Sequence, residues 1–353
     1  MTLRVGILGA AGYTGIELIR LIDLHPHLEL TYVAARENAG QKLGKVVPST
    51  QGVPGLGDMN LERFESEDAQ KIAQELDVVF TALPHAASAR LGGALLDAGT
   101  QVVDLSADFR LRDLETYEQW YGVHPRPDLI SQAVYGLPEI YREELKSAQL
   151  IACPGCYPTS AILPLVPLLR EKLIEIDSTI IIDAKTGASG AGRKASPVTN
   201  FSEASEGMRP YKVAGGHRHT PEMEQELSLA AGKNLKVLFT PQLVPMIRGI
   251  LTTTYARIKP GVSAEQCREA AMSHLGDTLV TVMPASRLPD TLHVRGSGRA
   301  QVAYELDERT GLLLGMCAID NLARGSSAQA IQALNVSREF CETDGIPRLA
   351  TFP

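Results

Sequence analysis

Residues 3–15 read LRVGILGAAGYTG, a short apolar run that closes on Gly9, Gly12 and Gly15. It passes straight into YTGIELIRLIDLH (13–25), whose apolar residues recur at helical period. Glycines between a strand and a helix permit a tight turn and close approach to the backbone. A pyrophosphate can then rest on the unpaired N–H groups of the helix N-terminus. The spacing is GxxGxxG, not the commoner GxGxxG, so its position after the first strand gives it meaning. With Tyr13 and Thr14 these glycines form a candidate dinucleotide-binding turn.

Working outward, the strand-like LELTYVAA (28–35), DVVFTAL (77–83) and QVVDLS (101–106) alternate with helical patterns, including HAASARLGGALLDAG (85–99). Strands that alternate with helices imply βαβ units and a parallel, doubly wound sheet. The second strand ends VAARENAG, and its first polar residue is Arg36. An acid there would grip a ribose hydroxyl, whereas a guanidinium suits a 2′-phosphate. The reading is NADP(H), with Glu37 next door keeping NAD open.

After LIACPG (150–155) the texture changes. STIIIDAKT, LKVLFTPQLVP, ILTTTYARI, TLHVRG, RAQVAYELDE and GLLLGMCAID read as successive strands, which suggests a mainly antiparallel sheet. The expected fold class is α/β: a Rossmann-type parallel-sheet domain plus an α+β catalytic domain. The expected boundaries are residues 1–152 for the nucleotide domain and 153–320 for the catalytic and oligomerisation domain. A C-terminal helical stretch, 321–353, would return to complete the first.

The composition narrows the function. A chain of 353 residues with 44% hydrophobic and 21% charged residues reads as an ordinary globular protein. Its net charge of −7 argues against a nucleic-acid partner. The first residues enter a strand pattern at once, without a charged leader, and the longest apolar run is far short of a membrane span. A soluble, cytoplasmic protein is expected. Five scattered cysteines are not a secreted disulfide framework, and CPGC (153–156) has no second pair at zinc spacing, so no metal is expected.

That leaves CPGC as a redox pair or as one catalytic thiol with a sulfur neighbour. Cys156 stands where a strand ends in a Pro-Gly turn and an apolar helix begins, and a helix N-terminus favours a thiolate. Pro158 fits an early helical position, while Pro164 and Pro167 suggest a kinked or broken helix. A nucleophilic thiol needs a base, and GHRHTPE (216–222) supplies His217 and His219, with Glu222 to orient one of them. In an extended stretch the two imidazoles would share a face.

GAAGYTG (9–15), TALPHAAS (81–88), DLSADFRL (104–111), YGLPE (135–139), PGCYPT (154–159), SGAGRK (189–194) and GHRHTPE occur in that order. Together they resemble the N-acetyl-gamma-glutamyl-phosphate reductase family, the arginine-biosynthesis branch of the semialdehyde dehydrogenases. The resemblance runs from residue 3 to the closing Phe-Pro. It implies NADPH-dependent reduction of N-acetyl-glutamyl 5-phosphate to the 5-semialdehyde, in a homo-oligomer (dimer or tetramer). PGCYPT and GHRHTPE are the specific motifs; the glycine turn is widely shared. One departure stands out: the family typically has Asn where this chain has Cys153, which raises the prospect of a resolving thiol or simply of a small buried residue.

The chemistry so implied is attack by Cys156 on the acyl phosphate, then reduction of the thioester, with His217 or His219 moving the proton. Cations for the substrate would come from Arg110, Arg193, Lys194 and Arg218, with Ser189 offering donors, although Arg110 could instead be an ion-pair partner of Asp108. Pro84, His85 and Ser88 follow a parallel strand at its C-terminal end, where dinucleotides gather, and with Ser189, Gly190 and Asn321 complete the expected cofactor contacts. A related reductase acting on an aminoadipyl or carrier-bound acyl phosphate stays open, as does a non-catalytic NADP-binding redox sensor. So does the choice between the two histidines.

Overall fold

The computed structural model describes residues 2–276 and 279–352. It divides into two compact units: 1–154 with 326–346, and 155–325 with 347–353. The returning segment is therefore shorter than the 321–353 expected. Ala323–Ser327 forms a π turn, the helix proper is Ala328–Ser337, and the last seven residues belong to the second unit.

In the first unit six strands, β1 (Leu3–Leu8), β2 (Leu28–Ala34), β3 (Val78–Thr81), β4 (Gln101–Asp104), β5 (Ala133–Tyr135) and β6 (Leu150–Ala152), lie in the order β2-β1-β3-β4-β6-β5. Every pairing is parallel. The near-continuous Val/Ile/Leu character of β1, β3 and β4 follows from burial on both faces. Leu8, Val79, Leu95, Val102 and Leu150 meet in one core cluster. Each such side chain contributes about 1.5–3 kcal/mol by leaving water. The chain turns outward in opposite directions from β1 and β3, so the crevice for a nucleotide opens at their C-terminal ends.

The second unit holds β7 (Ile180–Thr186), β8 (Arg209–Pro210), β9 (Val237–Leu243), β10 (Ile250–Arg257), β11 (Val280–Val282), β12 (Ala300–Asp307) and β13 (Leu312–Ile319). Their order is β11-β12-β13-β10-β7-β9-β8. The central β12-β13-β10-β7 pairings are antiparallel, while β11-β12 and β7-β9 are parallel. The helix Cys156–Arg170 packs on this sheet and is buried from Tyr157 to Leu169. Pro164 and Pro167 stay inside it rather than ending it. Tyr304 donates its hydroxyl to the Pro164 carbonyl at 2.8 Å.

Two helices stand within the strand run, and one expected strand is absent. Thr220–Ala231 and Ala264–Leu275 are helices between the strands, the first closed by a left-handed Gly232 (φ 65°), the second opened by a Ser263/Gln266 capping box. TLHVRG is not a strand: Asp290 accepts from Leu292 N–H and caps a single 3-10 turn, Thr291–His293. Among the described residues no helix is long and apolar enough to cross a membrane, and no cluster of three metal-ligating side chains occurs.

Candidate active site

Cys156 is the first residue of its helix, which starts after Gly155 in extended conformation (φ −68°, ψ 157°). No acid occupies the first turn, so the positive end of the helix faces the thiol and favours its anion. The Gly155 N–H donates to the buried Glu222 Oε1 at 2.8 Å. Glu222 thus ties down the turn that carries the thiol. Gly325 closes the other side: a Cβ there would lie 2.8 Å from the Cys156 Cβ. Gly325 stands in the π turn, a feature frequent at functional sites.

The thiol opens into a cavity of about 350 Å³ that His217, His219, Tyr211, Arg209 and Lys212 also line. The two histidines do not stand on an extended stretch. His217 accepts the Thr220 N–H in a turn, and His219 (φ −82°, ψ −9°) caps the helix Thr220–Ala231. The turn still brings the rings together, with centroids 4.8 Å apart. His217 is buried, and burial, then the Lys212 and Arg218 cations, push it down to about 4. Its Nδ1 accepts the His219 N–H at 3.0 Å, which leaves the proton of the neutral ring on Nε2. The His219 imidazole lies directly against Gly155: Nε2 is 2.6 Å from where a Cβ on that glycine would sit. Of the two, His219 is the one packed against the thiol turn.

Sequence reasoning missed Tyr157, Tyr211, Arg209 and Lys212. The hydroxyls of Tyr157 and Tyr211 are 2.9 Å apart. Burial pushes Tyr211 up to about 12 and Tyr157 higher still, so both remain protonated. Arg209 donates to the Glu203 carbonyl at 2.6 Å. The signal was the segment RPYK (209–212), which immediately precedes the histidine motif. The cations that were expected, Arg193, Lys194 and Arg218, are exposed and do not line this cavity. Ser189 is buried and accepts from Asn321 Nδ2 at 2.9 Å, while Asn321 Oδ1 accepts from Gly249 N–H at 2.6 Å. Those two side chains knit loops of the second unit together, and of the group only Gly190 reaches the cavity.

Arg110 holds backbone. It is buried in the first unit and donates to the backbone carbonyls of Cys153 (2.6 Å) and Leu105 (2.8 Å). That is a structural clamp on the loop after β4 and the end of β6. Ser88 likewise turns inward: it is 1% exposed and donates to Asp104 Oδ1 at 2.5 Å. Asp104 also accepts from Thr81 and Ser106, so the Ser88 hydroxyl serves a buried carboxyl at the C-terminal end of β4. Cys153 is 1% exposed, and burial, then Asp104, push its thiol up. It is a small buried residue, as one of its two readings had it.

The nucleotide edge of the first unit has the shape a dinucleotide requires. Gly9 has φ 97°, and a Cβ there would meet the Ala82 carbonyl oxygen at 2.3 Å. A Cβ on Gly15 would meet the Gly9 oxygen at 2.4 Å. At Gly12 the nearest such atom is 3.6 Å away, so a side chain there would fill the cradle above the helix N-terminus. That helix, Tyr13–Asp23, has no acid in its first turn and no side-chain cap. Arg36 follows β2, is exposed, and makes no ion pair among the described residues. Pro84 and His85 sit after β3 at the same sheet edge. The residues present fit NADP(H).

A Rossmann sheet in one unit, and a helix-terminal thiol beside a histidine in the next, define the class of the semialdehyde dehydrogenases. The family model of their NAD binding domain matches residues 4–148, and that of their dimerisation domain matches residues 156–321. Within that class the chain belongs to the N-acetyl-gamma-glutamyl-phosphate reductase family. It is 48% identical over 344 residues to the reductase of Syntrophobacter fumaroxidans, covering 98% of both chains. It is also 48% identical to that of Magnetococcus marinus, covering 100% of this chain and 99% of the other. Among solved structures, aspartate semialdehyde dehydrogenase II of Vibrio cholerae, complexed with ASA, shares the fold (TM-score 0.71, 16% identity, 96% of this chain and 99% of that one). So does aspartate semialdehyde dehydrogenase with NADP from Candida albicans (TM-score 0.67, 19% identity, 96% and 99%).

Proposed function

We propose that this chain reduces N-acetyl-glutamyl 5-phosphate to N-acetyl-glutamate 5-semialdehyde with release of phosphate, in arginine biosynthesis, as a soluble cytoplasmic enzyme. The observation that carries this reading is Cys156 at a helix N-terminus, opening into a cavity it shares with His219 and two cations. The Cys156 thiolate attacks the acyl carbonyl, the C–O bond to phosphate breaks, and a thioester forms. Arg209 and Lys212 are the cations for the phosphate and carboxylate. The helix N-terminus at Cys156 offers backbone N–H groups to the oxyanion. His219 takes the thiol proton before attack and returns it when the thiohemiacetal collapses. His217, neutral and buried, fixes the His219 backbone through its Nδ1, and Glu222 fixes the thiol turn.

The Gly9–Gly15 turn would hold NADP(H), with Arg36 for the 2′-phosphate, and the cofactor would supply the hydride there. The family name of the second unit, a dimerisation domain, supports a homo-oligomer. The test is the reverse reaction: phosphate-dependent reduction of NADP by N-acetyl-glutamate semialdehyde, run beside the aminoadipyl homologue. Turnover of the glutamyl substrate with a clear preference over the longer one is expected. Binding of NADP without turnover of either aldehyde would leave a redox sensor instead.

A further inference from the structure

The loop after β3 contains a non-glycine residue in an unfavourable backbone conformation. Ala86 has φ 66° and ψ −40°, and the helix Ala87–Asp97 begins directly after it. A Cβ residue persists there only when its surroundings hold it, and such strain gathers at functional sites. The holding group is Asp108, from the DLSADFRL motif. One carboxylate oxygen accepts the Ala86 N–H at 2.9 Å, and the other accepts the Ala89 N–H at 2.8 Å. That helix has no acid in its first turn and no cap from its own N-cap side chain. Asp108 supplies both from another segment.

Asp108 is itself held. It is fully buried, and Tyr117 donates its hydroxyl to the same Oδ1 at 2.7 Å. His124 Nε2 is hydrogen-bonded to the Asp108 carbonyl at 2.7 Å, and its ring meets that of Tyr117 edge-on, 4.4 Å between centroids. Tyr117 stacks on Tyr121 (5.1 Å, 22°), and Tyr121 meets the His85 ring at 5.6 Å. The contacts close on themselves, from His85 through Tyr121, Tyr117 and Asp108 to Ala86, and back along the chain to His85. Apart from His85, no member of this ring is used in the proposed chemistry, yet together they fix the His85 loop at the C-terminal end of β3.

We infer that Asp108, braced by Tyr117, is a positioning residue that presets the Pro84–Ala86 loop in its strained form before the cofactor arrives. The inference rests on the reading that NADP(H) binds at this sheet edge. Preorganisation of this kind removes the ordering cost that a mobile loop would levy on binding. If Asp108 only stabilised the sheet, its loss would loosen the unit as a whole and be indifferent to the backbone preference of residue 86.

The experiment combines NADPH titration, by fluorescence, with hydrogen exchange on the cofactor-free protein, for wild type, Asp108→Asn, Ala86→Gly and the double variant. Asparagine keeps one acceptor and loses the charge and the second acceptor. Asp108→Asn should raise the NADPH Kd by about tenfold or more and speed exchange at Ala86 and Ala89, while β3 and β4 amides stay protected. Glycine accepts φ 66° without strain, so Ala86→Gly should restore at least half of that loss on a logarithmic scale. Tyr117→Phe, which keeps the stack but removes the brace, should give the same pattern at smaller amplitude. An equal Kd penalty with Ala or Gly at residue 86, an unchanged Kd in Asp108→Asn, or exchange that rises across the whole sheet would each overturn the inference. A wild type that binds no NADPH would defeat the cofactor reading itself, and the exchange data would then still report whether Asp108 holds the loop.

Discussion

Gly155→Ala is a small change with a calculable consequence. Gly155 has φ −68°, a value any residue adopts, so alanine brings no backbone strain. Its Cβ would nevertheless stand 2.6 Å from His219 Nε2 and 2.8 Å from Cε1, where ordinary contact begins at 3.4 Å. The imidazole must retreat by about 0.8 Å, since the turn is tied to Glu222 and to the helix behind it. A misplacement of about 1 Å in a catalytic group can cost roughly 10²-fold. The expected result is a fall in kcat of about 10- to 100-fold. The loss of a good N-cap adds about 1 kcal/mol or less in stability, too little to unfold the chain. NADPH affinity should hold, because the glycine turn and Arg36 lie in the other unit. The assay is rapid-quench measurement of phosphate release on mixing enzyme with the acyl phosphate, with NADPH titration and thermal unfolding as controls. A wild-type rate of phosphate release in Gly155→Ala would refute the assignment of His219 as the group that activates the thiol.

Three further outcomes follow from the geometry. Arg36→Ala should weaken NADPH by roughly tenfold to a hundredfold, the worth of a charge-assisted contact of about 1.5–3 kcal/mol, and leave NADH almost unchanged; equal losses for both cofactors in titration would remove Arg36 from the 2′-phosphate. His217 is held near 4 against 6.5 in the unfolded chain, so the unfolded state binds more protons between those values. Stability should therefore be intact above pH 6.5 and decline as pH falls toward 4, by a sum on the order of 3 kcal/mol. Urea unfolding of wild type and His217→Gln across that window checks this, and parallel curves would contradict it. Cys153→Asn should lose activity to mild peroxide and recover it with dithiothreitol as wild type does, because the buried Cys153 thiol is a poor resolving group; recovery confined to wild type would show that the two thiols pair.

How much of this was legible in the sequence depended on whether the signal was local. The Gly9–Gly15 turn, β1 and the helix after it are written in spacing alone, and they appear where the period places them. The thiol helix survived its two prolines because it is buried from Tyr157 to Leu169 and packs on a sheet, a tertiary gain that local propensity does not register. TLHVRG alternates like a strand, but the preceding Asp290 caps a turn, and a side-chain cap outranks a short alternation. The histidines stand out by their motif, whereas their placement depends on a turn that brings His219 onto Gly155 and buries His217. Arg110 and Ser88 have partners that spacing does not reveal. A polar residue near a sheet edge looks available in sequence, yet each is spent on a buried partner, the Cys153 carbonyl and the Asp104 carboxyl. Arg209 and Lys212 were passed over for the more conspicuous Arg193–Lys194 pair, since only the fold shows which cations face the cavity.

Covalent catalysis at Cys156 is settled by mixing the cofactor-free enzyme with N-acetyl-glutamyl phosphate and measuring phosphate release together with intact and peptide mass. About one phosphate per active site should appear in a burst, with the acyl group on the peptide that contains Cys156, and Cys156→Ser should show neither. A burst without an adduct on that peptide, or the same adduct in Cys156→Ser, would contradict the thioester and with it the role assigned to this thiol.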